Sequence, residues 1–97
     1  MNIIISNTAH QNILNISKHI AKSSYKSAIE TSNKIYLKIS NLKYSPYIGR
    51  YVPELEDKHF RELIYKNYRI LYTIHNNYIH IHFIVSRFQN LKYFFYN

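Results

Sequence analysis

The chain contains no cysteine and no tryptophan, and it has only one glycine and two prolines among its 97 residues. Without cysteine it can form no disulfide, thiolate metal site or cysteine nucleophile, which is typical of proteins from a reducing compartment. The glycine and both prolines fall within residues 43–53, so this segment is predicted to be the main loop.

Acidic residues are also scarce. Five Asp and Glu stand against 13 Lys and Arg, which gives a formal net charge of +8. A basic chain of this size is expected to meet an anionic partner: nucleic acid, an acidic protein or, less readily, a membrane surface. The abundance of Lys, Asn and Ile is typical of an AT-rich genome, so the arginines are more informative than the lysines. The four arginines are Arg50, Arg61, Arg69 and Arg87.

No apolar run is long enough to cross a membrane. The longest uncharged stretch, residues 1–17, contains polar Asn, Gln and His side chains. No basic segment precedes an apolar stretch that ends in small residues, so no secretory signal is expected. With 46% hydrophobic and 19% charged residues, the chain is expected to fold as a single domain over residues 1–97, in the cytoplasm.

The first half of the chain has the pattern of one strand and two helices. Residues 2–5 are rich in Ile, which predicts a first strand that is buried on both faces. Apolar residues then recur at helical spacing in two segments. The first follows the N-cap candidates Ser6, Asn7 and Thr8 and ends near residues 22–24, and the second spans residues 25–42. The two stripes are Ala9, Ile13, Ile16 and Ile20, then Ala28, Ser32, Ile35, Ile39 and Leu42. Two consecutive helices with a short polar break predict an αα-hairpin.

The second half predicts three strands, over residues 60–65, 68–75 and 78–85. The connections Lys66-Asn67 and Asn76-Asn77 have the length of tight turns, and Asn tolerates the positive φ that such turns require. A two-residue second turn pairs three sets of apolar residues on a face that should pack on the helices: Ile74 with Ile79, Tyr72 with Ile81, and Ile70 with Phe83. The opposite face, which we predict to be the working face, would carry Arg69, Leu71, Thr73, His80, His82 and Ile84.

Together these patterns predict an α+β fold. It has an N-terminal strand, an αα-hairpin and then a mostly antiparallel sheet of about four to five strands. The aromatic tail, residues 89–97, is compatible with either a short helix or an extended segment.

Most catalytic signatures are missing. The sequence has no phosphate-binding loop, no dinucleotide fingerprint and no HExxH motif. Four of the five acids surround one loop and are interpreted as a solvated connection: Glu54, Glu56, Asp57 and Glu62. An enzyme with this inventory would depend on Arg, Lys, His and Tyr, which suit phosphodiester cleavage.

The imidazoles of His75, His80 and His82 form the one histidine cluster of the sequence. Three interpretations stay open: exposed polar positions on an alternating strand, a metal site, or a nucleic-acid contact near Arg69. Because no acid or cysteine is near to complete a ligand set, we expect no metal and no cofactor.

Three segments resemble one protein family. In the first helix the matching residues are Ala9, Asn12, Ile13, Ile16, His19 and Ile20. In the loop they are Pro46, Gly49-Arg50 and Val52-Pro53-Glu54-Leu55. In the hairpin the match covers residues 61–72, RELIYKNYRILY. With these motifs the chain resembles the RelE/ParE superfamily of toxins from type II toxin–antitoxin systems. The resemblance covers nearly the whole chain and implies two helices packed on a mostly antiparallel sheet.

The superfamily has two activities. RelE-like members cleave mRNA in the ribosomal A site, and ParE-like members poison DNA gyrase. The resemblance implies a catalytic set for mRNA cleavage of Arg69, Arg87, Tyr93 and Arg61. It also assigns Arg50, Lys66 and His82 to nucleic-acid binding, with His82, diagonal to Arg69 in the predicted register, a candidate proton carrier.

One departure from the family pattern concerns the end of the last strand. Val85-Ser86-Arg87-Phe88 stands where many members have His-x-Arg-Arg, so a His and one Arg are missing. The leading expectation is a ribosome-dependent mRNA endonuclease. The alternatives are a gyrase inhibitor without catalysis of its own, or a weakened toxin that mainly binds its antitoxin. The implied partners are a small acidic antitoxin with its own DNA-binding element, and either the ribosome with mRNA or DNA gyrase, with no membrane.

Overall fold

The computed structural model describes residues 1–95, apart from the side chain of Phe94. The elements in chain order are β1 (Asn2–Ile5), α1 (Asn7–Ala21), α2 (Tyr25–Asn41), β2 (Arg50–Tyr51), β3 (Phe60–Tyr65), β4 (Tyr68–Ile74), β5 (Tyr78–Ser86) and α3 (Lys92–Phe95). They form one five-stranded sheet in the order β1-β5-β4-β3-β2, in which β1 runs parallel to β5 and the other pairs are antiparallel. The predicted α+β fold is confirmed, and within the tail Lys92–Phe95 forms a short helix.

A serine caps the N-terminus of each long helix. The Ser6 hydroxyl accepts a hydrogen bond from the backbone N–H of Ala9 (2.9 Å), and the Ser24 hydroxyl accepts one from Ser27 (3.1 Å). These caps satisfy N–H groups that the helix itself leaves without partners, so the two helices begin where the periodicity predicts. In α2 the predicted stripe is buried, except that Thr31 takes the buried position assigned to Ser32.

The first strand differs from its prediction. It is an edge strand, because β5 is its one neighbour in the described sheet. Ile3 and Ile5 pack against the helix-side core, whereas Ile4 on the other face is 49% exposed. The prediction of burial on both faces is wrong, because a run of Ile does not reveal whether a second layer covers the far side.

The two hairpins confirm the predicted turns. Tyr65 pairs with Tyr68 across Lys66-Asn67, and Ile74 pairs with Ile79 across the second turn. Among the described non-glycine residues, positive φ occurs at Lys66 (51°), not at an asparagine.

A β-bulge shifts the register of the second hairpin. Tyr72 pairs with Ile81 as predicted, but the next pair is Leu71 with Phe83, so His82 is an extra residue in β5. Ile70 consequently pairs with Ile84, and the predicted pairing of Ile70 with Phe83 is wrong. Ile84 is buried in the helix-side core and not on the opposite face.

The sheet has an apolar core on each face. The helix-side core contains Ala9, Ile13, Ile35, Ile39, Leu42, Ile70, Tyr72, Ile79, Ile81 and Ile84. On the other face a smaller cluster joins Leu71 to Val52, Leu55 and Leu91, with Phe60, Phe83, Val85 and Phe95 packed around them. The face predicted to be the working face is therefore partly covered by residues 52–55 and the C-terminal segment. None of the helices within residues 1–95 has the length and apolar character to cross a membrane.

Candidate functional site

Arg69 lies at the centre of a buried ion-pair network on the far face of the sheet from the helices. Its side chain is 5% exposed. Its Nε donates to Glu62 Oε1 (2.6 Å), while Nη1 and Nη2 donate to Glu54 Oε2 and Oε1 (2.7 Å each). Glu62 Oε2 also accepts from Arg50 Nε (2.7 Å), so two guanidinium groups balance two carboxylates.

Arg69 and Glu54 shift each other's pKa. The hydrogen bonds from Arg69 lower the pKa of Glu54 from 4.5 to about 2, against the opposing effect of burial. In turn the hydrogen bond to Glu54 raises the pKa of Arg69. Glu54 and Arg69 are thus both charged at neutral pH, and the guanidinium fork of Arg69 is occupied by carboxylates in the geometry that a phosphate would need.

The network also holds the C-terminal segment on the sheet. The backbone N–H of Leu91 donates to Glu54 Oε2 (3.0 Å), and Arg69 Nη1 donates to the Gln89 carbonyl (3.2 Å). Leu91 itself is fully buried in the smaller core. Arg69 therefore connects β4, β3, the loop after β2 and the segment after β5.

Sequence reasoning missed Glu54 and Glu62 as members of this site. Both were interpreted as part of a solvated loop, yet Glu62 is buried in β3 and Glu54 is largely covered. Glu56 and Asp57 are exposed, in agreement with that interpretation. The alternation of β3 could have revealed Glu62. A two-residue turn at Lys66-Asn67 pairs Glu62 with Leu71, which is on the same face as Arg69.

Arg61 lies on the opposite face of the sheet. It is directly across from Tyr72, which belongs to the helix-side core. Its Nη1 donates to the Gly49 carbonyl (2.7 Å), and its guanidinium carbon lies 4.4 Å from the ring centre of Tyr51. The structure therefore separates Arg61 from Arg69 by the thickness of the sheet.

The other two predicted catalytic residues are exposed near the end of the chain. Arg87 follows β5, where its backbone N–H donates to the Asn67 carbonyl (2.6 Å), and Tyr93 lies in α3. Within residues 1–95, no hydrogen bond or ion pair joins any two side chains of the set Arg61, Arg69, Arg87 and Tyr93. Lys66, predicted to bind nucleic acid, is exposed at the first turn, with its Nζ 5.6 Å from the ring centre of Tyr65.

His82 belongs to a separate cluster. Its Nε2 lies 2.8 Å from Thr73 Oγ1, which is also 2.8 Å from His75 Nε2, and its ring packs on Phe60 and His80. Burial, followed by the charges of His80 and His75, lowers the pKa of His82 from 6.5 to about 4.

The bulge determines where His82 lies relative to the ion-pair network. Arg69 is opposite Val85, so the predicted diagonal arrangement of His82 and Arg69 is wrong. Over the described residues, no three His, Cys, Asp or Glu side chains are grouped closely enough to hold a metal ion.

Comparisons with known proteins agree with this architecture. The family model "ParE toxin of type II toxin-antitoxin system, parDE" matches residues 3–91. Among solved structures, the chain is similar to "Chromosomal ParDE TA system from P. aeruginosa", with a TM-score of 0.75 and 17% sequence identity over 89% of this chain and 95% of that chain. At that identity the likeness shows the shared fold. None of the curated proteins matches the chain.

Proposed function

Since the chain belongs to the ParE toxin family of type II toxin–antitoxin systems, we propose that it inhibits DNA gyrase by binding it and does not itself cleave RNA. Family membership confirms the resemblance found in the sequence and makes the chain the toxin of a pair whose other member is an antitoxin. The proposal concerns the target and the mode of action, between which the shared fold does not decide.

The proposal rests on one observation: the guanidinium of Arg69 is already paired with Glu54 and Glu62. Phosphodiester cleavage needs a cation that is free to contact the scissile phosphate, next to a group that moves a proton. Here Glu54 and Glu62 occupy the guanidinium of Arg69, so the donors that a phosphate would need are already used. Arg61 lies on the other face of the sheet from Arg69, which also supports action by binding.

The helical hairpin offers a surface suited to binding. Tyr25 and Ile29 lie one turn apart, at positions i and i+4 of α2, and Leu37 lies eight residues beyond Ile29, about 80° further round the helix. All three side chains are exposed, and Ile29 is 62% exposed. Exposed apolar residues on the solvent side of a helix are typical of protein-binding surfaces, and we assign this exposed surface of α2 to the target.

The antitoxin is proposed to be a small acidic protein with its own DNA-binding element, acting in the cytoplasm. The formal charge of +8 supports an acidic partner, because opposite charges speed association and favour the correct partner. Such an antitoxin should relieve inhibition when it is added to the toxin.

A supercoiling assay with purified chain, gyrase, ATP and relaxed plasmid tests the proposal. The chain should inhibit supercoiling, and Ile29→Lys should raise the half-inhibitory concentration by about tenfold, as expected for a residue central to an interface. Ile4→Lys, which changes an exposed Ile on β1, is the matched control and should stay within about twofold of the unmodified chain. Uninhibited gyrase at saturating chain would contradict the proposed target.

A further inference from the structure

The edge of the sheet at β2 presents three exposed tyrosines. Tyr44, Tyr47 and Tyr51 are 77%, 67% and 46% exposed. Tyr44 and Tyr47 lie in the loop that follows α2, and Tyr51 lies in β2. All three rings lie within residues 44–51, in the segment that follows α2.

Each of these rings has a cation beside it. Lys43 Nζ lies 5.0 Å from the centre of the Tyr44 ring, and Lys58 Nζ lies 5.4 Å from that of Tyr51. The guanidinium carbon of Arg61 contacts two rings, at 5.2 Å from the centre of Tyr47 and 4.4 Å from that of Tyr51. We call these six residues the tyrosine–cation patch.

Arg61 is held in place and yet keeps donors available. Its Nη1 donates to the carbonyls of Gly49 (2.7 Å) and Tyr47 (3.4 Å), which fixes the guanidinium plane relative to the loop. Its Nε and Nη2 donate to no atom of residues 1–95. A fixed guanidinium with free donors beside two aromatic rings is suited to a phosphate group.

The nearest acids do not cancel this positive charge. Glu62, which pairs with Arg50 in the adjacent strand, has a fully buried side chain that is neutralised by Arg50 and Arg69. Glu56 and Asp57 are exposed and border the patch next to Lys58, where Asp57 is engaged by His59. The patch is therefore cationic, with a negative border at one end.

We propose that the tyrosine–cation patch binds single-stranded nucleic acid. Bases stack on the rings of Tyr44, Tyr47 and Tyr51, and the phosphates pair with Lys43, Lys58 and Arg61. Every base has a π-face, so exposed rings interleaved with cations recognise single strands without reading sequence. An acidic peptide would pair with the cations but would leave the ring faces unused.

This site is independent of the proposed action on gyrase. It contains Arg61 from the set that the resemblance implies for mRNA cleavage, but none of the three residues assigned to nucleic-acid binding. Lys66 is at the first turn and His82 is on the other face of the sheet, so both lie outside the patch, whereas Arg50 is adjacent to it.

Fluorescence anisotropy with the purified chain and labelled mixed-sequence oligonucleotides tests the proposal. Single-stranded DNA and RNA of about 15 nucleotides should bind more tightly than the same sequence as a duplex, with affinity that falls as salt rises. Tyr47→Ala with Tyr51→Ala should weaken binding by at least about fivefold for each ring, whereas Tyr47→Phe with Tyr51→Phe should stay within about twofold.

Two further variants locate the site. Tyr25→Ala removes an exposed tyrosine on α2, outside the patch, and should leave the affinity for the oligonucleotides unchanged. Glu56→Gln removes negative charge at the border of the patch and should strengthen binding.

Three results would overturn the inference: no binding of either oligonucleotide, binding unaffected by the paired Ala variants, or displacement by polyglutamate as effective as displacement by single strands. The last result would indicate an acidic protein as the ligand. Because the assay contains no gyrase, its failure is distinct from failure of the proposed target.

Discussion

At the scale of single residues, the molecule depends most on the charges buried around Arg69. Every buried side-chain nitrogen and oxygen in the described part of the chain has a hydrogen-bond partner. That balance is fragile, because removal of one partner from a buried ion pair leaves an uncompensated charge in a poorly solvated site. Arg69 is the partner shared by Glu54 and Glu62, so its loss should affect both.

Arg69→Ala is expected to lower the free energy of unfolding by about 3–5 kcal/mol, since Glu62 would lose its closest cation inside the sheet. Urea unfolding followed by circular dichroism measures this change. The control is Arg87→Ala, which alters an exposed arginine and should change the free energy by less than about 0.5 kcal/mol. If Arg69→Ala kept full stability while toxicity was lost, Arg69 would act on a substrate and not on the fold.

His82 should make stability depend on pH. Its pKa is lowered from 6.5 to about 4 in the fold, so the unfolded chain takes up a proton between these values that the folded chain does not. Stability should therefore be full above pH 6.5 and fall as the pH drops toward 4. We expect a loss of about 1 kcal/mol, because the ring is half-buried and solvent screens it. Glu54 acts in a lower window, from pH 4.5 down to about 2.

Denaturant unfolding at several pH values between 7 and 4 tests this dependence on pH. His82→Gln should flatten the profile in that window while it keeps a polar group near Thr73. His19→Gln, which changes an exposed histidine on α1, should leave the profile unchanged. Equal slopes for the unmodified chain and His82→Gln would show that another group titrates.

At the scale of secondary structure, the sequence predicted what depends on local pattern. The starts of α1 and α2 could be predicted because the N-cap candidate Ser6 and both apolar stripes are visible in the sequence. The bulge at His82 was not predictable, since an extra residue in one strand becomes apparent only against its partner. Likewise the exposure of Ile4 depends on which layers cover β1, and the residue type alone does not reveal how many layers there are.

The loop between α2 and β2 is fixed to the sheet by one buried tyrosine. Tyr72 Oη accepts from the backbone N–H of Gly49 (2.9 Å) and donates to the Pro46 carbonyl (2.8 Å). A Cβ at residue 49 would lie 2.5 Å from Tyr72 Oη and 2.8 Å from the Glu62 carbonyl oxygen. Glycine is required here by this close approach and not by its φ angle.

Gly49→Ala is therefore expected to destabilise the fold by about 1–3 kcal/mol, because neither the buried ring nor the strand backbone can move away freely. Thermal unfolding measures the effect. Ser45→Ala in the same loop, at an exposed position, should leave the melting temperature nearly unchanged. A Gly49→Ala chain as stable as the unmodified one would mean that Tyr72 is not held as described.

At the scale of the whole molecule, the sheet is covered on both faces. Our interpretation of function depends on the cover of the face that carries Arg69. The helices cover one face, while residues 52–55 and the C-terminal segment cover part of the other above Arg69. The motifs in the sequence were sufficient to place the chain in its toxin family. The mode of action could not be predicted from the sequence. Arg69 matches a nuclease position there, but in the fold it is paired with Glu54 and Glu62.

The claim that this toxin acts by binding is tested most directly on mRNA-programmed ribosomes. Purified chain is added to saturation, and new RNA ends are mapped by primer extension. We predict intact mRNA, because Arg69 is occupied by carboxylates and Arg61 lies on the other face of the sheet. Discrete cuts in the A-site codon that disappear in Arg87→Ala and Tyr93→Phe would contradict the account and establish the chain as an mRNA endonuclease.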